Sequence, residues 1–212
     1  MAAKGDLRVC LTLENLQPQF AAYMGTPTRA RGYPPIAGQH ALIIEVAPGL
    51  MIERVMDLAL KADPDLEPGI LFVERQFGIL EIHGPDKARL MAAGDAMLAG
   101  IGLLATDQLA AKILYTDVIE DIADQHAVIL NRNRQASMVL PGETLLIVEM
   151  VPALYAAIAA NEAEKAAPGL TLVDVQMIGA AGRLYMSGST ADVKTGLAEI
   201  ERVLAAIKGR AS

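Results

Sequence analysis

The chain has 212 residues, with 18 Lys or Arg against 25 Asp or Glu, a net charge of −7. That length holds one large domain or two of roughly 100 residues, and a 53% apolar composition supplies a sizeable core. The acidic balance argues against nucleic-acid and anionic-membrane partners; the single cysteine, Cys10, excludes an intrachain disulfide and any multi-thiolate metal site. The opening Met1-Ala2-Ala3-Lys4-Gly5-Asp6 carries no apolar run of the secretory kind, and no apolar run approaches a membrane span. A soluble cytoplasmic protein is expected.

In chain order, the first predicted strand covers 8–13, and residues 23–39, rich in Gly, Pro and Arg, read as a surface loop. A second strand follows at 41–46, then a helix over about 49–62 with Pro48 in its first turn. On that helix Glu53, Arg54, Asp57 and Lys61 share a polar face, while Leu50, Ile52, Val55, Met56 and Ala59 cover the apolar side. The stripe of Met51, Val55, Met56 and Leu58 reads as core packing. A hairpin is predicted from 70–73 and 79–83, and a helix from about 86–100.

The same series then returns after a shift of 104 residues. Gly38 falls on Gly142, Glu45 on Glu149, Pro48 on Pro152, Lys61 on Lys165, Pro64 on Pro168, Gly78 on Gly182 and Gly84 on Gly188. A two-residue slip near Ser189 then brings Asp86 onto Asp192 and Leu98 onto Leu204. Strands at 112–116 and 144–150, a helix at 153–166, a hairpin from 170–176 and 184–186, and a helix at 190–207 repeat the order. Two tandem α+β units are expected, each an antiparallel sheet with helices packed on it, as domains 1–105 and 106–212.

Catalytic chemistry finds no support. His40, His83 and His126 lie in different elements and read as surface or strand-end residues, short of the ligand count a metal needs. Cys10, in an apolar strand, reads as an inert thiol. No GxSxG, phosphate-binding loop or dinucleotide fingerprint is present. Gly179-Ala180-Ala181-Gly182 has the small residues of an anion cradle, but lies in a hairpin instead of before a helix. Asn131-Arg132-Asn133-Arg134, the one basic cluster, reads as a solvated turn or inter-subunit contact. No catalytic residue, metal site or cofactor is expected.

Motifs across the chain carry a resemblance: Leu16-Gln17-Pro18-Gln19, Glu45-Val46-Ala47-Pro48-Gly49, Asp57-Leu58-Ala59-Leu60-Lys61 and Val73-Glu74-Arg75 in the first copy. The second supplies Ile129-Leu130-Asn131-Arg132-Asn133, Leu140-Pro141-Gly142-Glu143, the run from Ala159 to Ala167, and Gly179-Ala180-Ala181-Gly182-Arg183-Leu184-Tyr185. With these the chain resembles the tandem-domain, trimer-forming shell proteins of bacterial microcompartments, and most of all the double-layered, gated tandem class of carboxysome shells.

The resemblance implies two circularly permuted shell domains per chain. Three chains would make a pseudohexameric homotrimer that tiles with other shell proteins in the cytoplasm, conducts small anionic metabolites through a gated central pore, and stacks face to face as a dimer of trimers. It maps the pore and gate onto Glu74, Arg75, Gln76 and Phe77 of one copy and Ile178, Gly179 and Ala180 of the other, and the shell-edge contact onto Lys61 and Lys165. Gly78 and Gly179 would supply the backbone freedom for gate movement. The chain departs from the family's pattern at Gln76, Phe77, Met177 and Ala181, where a small residue and aromatics are expected. Two rival functions fit the sequence less well: a trimeric small-molecule-binding sensor, disfavoured without a phosphate-binding loop, and a redox or metal conduit, disfavoured with Cys10 in a strand.

Overall fold

The computed structural model describes residues 5–26 and 32–211. Residues 27–31, part of the expected 23–39 loop, and residues 1–4, part of the opening segment, lie outside that range. The chain divides into two units, one running to Ala110 and joined by Lys208–Ala211, the other spanning Ala111–Ile207.

In the first unit β1 (Asp6–Leu13), α1 (Pro18–Met24), β2 (His40–Ala47), α2 (Met51–Ala62), β3 (Glu67–Glu74), β4 (Phe77–Gly84) and α3 (Lys87–Ile101) follow in order. Their sheet runs β1-β2-β4-β3, antiparallel throughout. The second repeats it with β5 (Lys112–Ile119), α4 (Asp124–Asn133), β6 (Thr144–Val151), α5 (Ala156–Ala166), β7 (Thr171–Gln176), β8 (Gly182–Gly188) and α6 (Thr190–Ala206), ordered β5-β6-β8-β7.

The sequence explains these elements locally. β2 and β4 are buried on both faces, so they read as continuous apolar runs, without the alternation of a half-exposed strand. One face packs Leu42, Ile44, Val46, Leu80 and Ile82 against Ile52, Val55 and Ala59 of α2 and Leu90, Ala93 and Met97 of α3. The polar face of α2 is exposed as its spacing predicts, but Leu50, expected on the apolar side, is 75% exposed. Leu50 is the N-cap, ahead of the helical periodicity that would turn it inward. Asp86 caps α3 by accepting from the amides of Ala88 and Arg89, and Gly102 ends it in a left-handed conformation (φ 72°). Ser189 caps α6 through the Asp192 amide.

Three expectations are corrected. Pro48 does not open α2 from inside: it stands two residues before the N-cap, and its carbonyl accepts from the Met51 amide at 3.0 Å. Pro152 does the same for Tyr155 at 3.2 Å, in a single 3-10 turn (Ala153–Tyr155) ahead of α5. The connections after β1 and β5, where no helix is predicted, contain the helices α1 and α4. And the last residues belong with the first unit: Ala110 donates its amide to the Arg210 carbonyl and Arg210 to that of Gln108, each at 2.8 Å. There Gly209 is obligatory, since a Cβ would stand 2.4 Å from the Gln108 carbonyl oxygen, and Arg210 pairs with Asp6.

Candidate functional site

Glu74 pairs with Phe77 across the β3–β4 hairpin, which leaves Arg75 and Gln76 as a two-residue turn. Such turns favour positive φ, and Arg75 takes φ 48°. Its side chain is 91% exposed, with Nε 3.7 Å from Glu74 Oε1. The Glu74 side chain is only 24% exposed; a pair this long with one partner in open solvent is worth about 0–1 kcal/mol, so it does not hold the Arg75 side chain in one place.

Below the turn the geometry tightens. The guanidinium of Arg8 in β1 lies 3.7 Å from the centroid of the Phe77 ring, while its Nε donates to Glu45 Oε1 at 2.7 Å. Burial pushes the Glu45 carboxyl up, with the Arg8 hydrogen bond opposing. Gly78 serves the site through space, not through positive φ as expected. A Cβ there would stand 2.1 Å from the Gly49 carbonyl oxygen and 2.6 Å from Ile52 Cβ, so its absence lets the hairpin base lie directly on the start of α2.

The second hairpin ends differently. β7 stops at Gln176 and β8 starts at Gly182, leaving a five-residue connection, 177–181. Met177 is buried and Ala180 exposed, and Gly179 has φ 128° with open space where a Cβ would point. Gly182 mirrors Gly78, with a Cβ position 2.2 Å from the Ala153 carbonyl oxygen. Glu149, the repeat of Glu45, is met from a different strand: Arg183 of β8 donates to it at 2.9 Å and to Gln176 Oε1 at 3.2 Å. One tip thus presents an acid, a base, an amide and an aromatic ring, the other small and apolar groups.

Lys61 and Lys165 stand exposed in the last turns of α2 and α5. Lys61 reaches Asp57 at 2.6 Å and Lys165 reaches Glu162 at 2.8 Å. Just beyond Lys61, Asp63 is held by Arg89 through Nε at 2.6 Å and a second nitrogen at 2.5 Å. This fork holds the Asp63 carboxyl below the usual carboxylate range, a contribution lost as pH falls through that lowered value. Ala167 occupies the repeat position.

The remaining candidates are ordinary or structural. Among the described residues no group of three or more His, Cys, Asp or Glu could hold a metal, and no helix is long and apolar enough to cross a membrane. Burial pushes the Cys10 thiol up to about 11, against reactivity. His83 differs from its surface reading: it is fully buried, with Nδ1 2.9 Å from the equally buried Glu81. Burial raises the Glu81 carboxyl, which favours its neutral form. Its contribution to stability is therefore full below the unfolded value and lost as pH rises through the folded one. The Asn131–Asn133 segment is the last turn of α4 and no loop. Asn131 donates to the Val139 carbonyl at 2.8 Å and accepts its amide at 3.0 Å, tying helix to loop.

Arg8 escaped sequence reasoning as the partner of Phe77, and Glu45 as the partner of Arg8, since each pair lies far apart along the chain. The repeated glutamate at Glu45 and Glu149 was the available signal, a charge kept inside an apolar strand in both copies.

Known proteins are similar to this chain in sequence and fold. The pattern of the CsoS1D N-terminal domain matches residues 7–107. Carboxysome shell protein CcmP of Synechococcus elongatus is 40% identical over 205 residues, 97% of this chain and 94% of the relative. Among solved structures, a double ringed trimeric shell protein from the RMM microcompartment is 60% identical with a TM-score of 0.94, covering 98% of this chain and all of that one (100%). A fused permuted hexameric shell protein of the same microcompartment is 46% identical with a TM-score of 0.91, covering 97% and 99%. The repeated sheets, the unlike tips and these relatives agree: the chain belongs to the CcmP and CsoS1D family of tandem-domain shell proteins and is a structural component of a bacterial microcompartment shell.

Proposed function

We propose that three copies close into a pseudohexameric disc, each of the two repeated units forming one wedge, and that a pore on the threefold axis passes small anionic metabolites. The observation that carries this reading is the pair of unlike hairpin tips on equivalent sheets. A closed ring of two repeats in three chains brings equivalent surfaces to one axis, alternating Glu74, Arg75, Gln76 and Phe77 with Ile178, Gly179 and Ala180. The likeness to a double ringed trimer supports both the trimer and a face-to-face stack of two.

The gate follows from the first tip. Arg75 meets Glu74 at 3.7 Å with its own side chain in open solvent, whereas Phe77 below them is pinned by Arg8. The turn can therefore swing between pairing across subunits and facing outward while its base stays fixed, and three guanidinium groups at the mouth attract anions. The small second tip leaves room for that swing. Discs tile with neighbouring shell proteins through Lys61 and Lys165, and the chain performs no catalysis.

Replacing Glu74 and Arg75 together by Ala is expected to leave trimers intact and to abolish any shut pore, as read from electron-microscopic reconstructions of the variant. A double variant whose pore is still closed contradicts the gate.

A further inference from the structure

The two repeats differ at the outer edge of the sheet. In the first unit that edge, β1, is closed by a stretch of the same chain. The Leu109 amide donates to the Arg8 carbonyl at 3.0 Å, and the Cys10 amide donates to Gln108 Oε1 at 3.0 Å. Leu109 in turn lies in a parallel bridge with Arg210, whose guanidinium donates to the Leu7 carbonyl at 3.2 Å.

In the second unit the matching edge, β5, is open. Register fixes the match. Each strand carries one extra residue, Arg8 between Leu7 and Val9 and Leu114 between Ile113 and Tyr115. Beyond it Cys10 pairs with Ile44, as Thr116 pairs with the repeat counterpart Val148. The Leu114 carbonyl and the Thr116 amide therefore hold the places of the two closed groups of β1. Among the described residues no hydrogen bond beyond the β6 ladder reaches either of them.

The side chains beside this opening are exposed as well. Val9 is fully buried, while Tyr115 at the same register is 53% exposed, and Leu114 is 47% exposed. An unpaired strand edge is a template for another chain, and proteins blunt it with charge, proline or a cover. From Ile113 to Thr116 the strand has neither charge nor proline. The extra residue is no obstacle, since β1 pairs across the same irregularity.

We propose that the β5 edge is the seam at which one chain of the ring receives the next. An extended segment of a second copy pairs with the Leu114 carbonyl and the Thr116 amide and covers the Leu114 and Tyr115 side chains. The inference rests on the ring of three proposed above, and the repeat itself names the segment. The stretch that closes β1 is the one that leads into β5; its counterpart is the stretch that leads into β1 of the neighbouring chain. The connection that is covalent within a chain is thus made between chains by main-chain pairing, and equivalent seams about one axis close the ring with no edge left over.

Sedimentation velocity of the full-length protein tests the seam. Thr116→Pro removes the outward amide at a position where an edge strand tolerates proline, and Leu114→Lys places a charge in the contact. Each is expected to weaken trimer association at least about tenfold, releasing 22.4 kDa chains at concentrations where the parent protein is trimeric, with an unchanged circular dichroism spectrum. Thr116→Ala keeps the amide and should stay trimeric. If the proline disturbs the strand, Leu114→Lys, at an exposed position, decides. Trimers of parent stability in Leu114→Lys, or dissociation of Thr116→Ala equal to that of Thr116→Pro, overturn the seam alone. A parent protein that sediments as a monomer overturns the ring and the seam with it.

Discussion

Gly78→Ala and Gly182→Ala are each expected to destabilise the protein by about 1–3 kcal/mol, the usual cost of forcing an extra carbon into filled space. The new methyl would stand 2.1 Å from the Gly49 carbonyl oxygen in one case and 2.2 Å from that of Ala153 in the other. Both obstacles are backbone atoms at the start of a helix, so no side-chain rotation relieves them. The strand must retreat from α2 or from the turn before α5, taking the hairpin base with it. The two sites share no contacting residue, so their costs should add. Thermal melts of the single and double variants check this, and melting at the parent temperature would contradict the packing account.

Lys61→Asp with Lys165→Asp is expected to abolish two-dimensional sheets while leaving trimers folded. Each reversal turns an attractive pair, Lys61 with Asp57 and Lys165 with Glu162, into like charges a turn apart on an exposed helix face. Within the chain that costs only a few tenths of a kcal/mol per pair. Across an edge contact repeated on every side of a disc, the same reversal acts at each junction. Negative-stain microscopy should show sheets for the parent protein and dispersed particles for the double variant; persistent sheets in the variant would remove both lysines from the edge.

The repeat was legible because its landmarks answer to backbone needs. Gly78 and Gly182 share one close approach, Pro48 and Pro152 one strand-to-helix passage, and the apolar runs at β2 and β6 one central position. From those constraints the order of strands and long helices could be read; the family rested on the resemblance carried by the motifs. Short helices escaped because α1 is seven residues long and carries too few turns to display a period, while the Asn131-Arg132-Asn133 end of α4 looks polar on every side. Leu50 misled because hydrophobicity alone does not reveal which residue is the cap. Glu74, Arg75 and the small second tip were legible as hairpin residues. Their anchorage was not: Arg8, Glu45 and Phe77 meet through strand pairing across the sheet, a contact with no local signature. Gly78 was read for the wrong property, backbone freedom, where the fold exploits its missing side chain.

A reconstruction of the purified assembly by electron microscopy tests the central claim most directly. The account predicts a threefold ring of three 22.4 kDa chains, with Glu74 and Arg75 facing its axis in alternation with 178–180. A monomeric particle, or a ring in which residues 74 and 75 lie away from the axis, would contradict it.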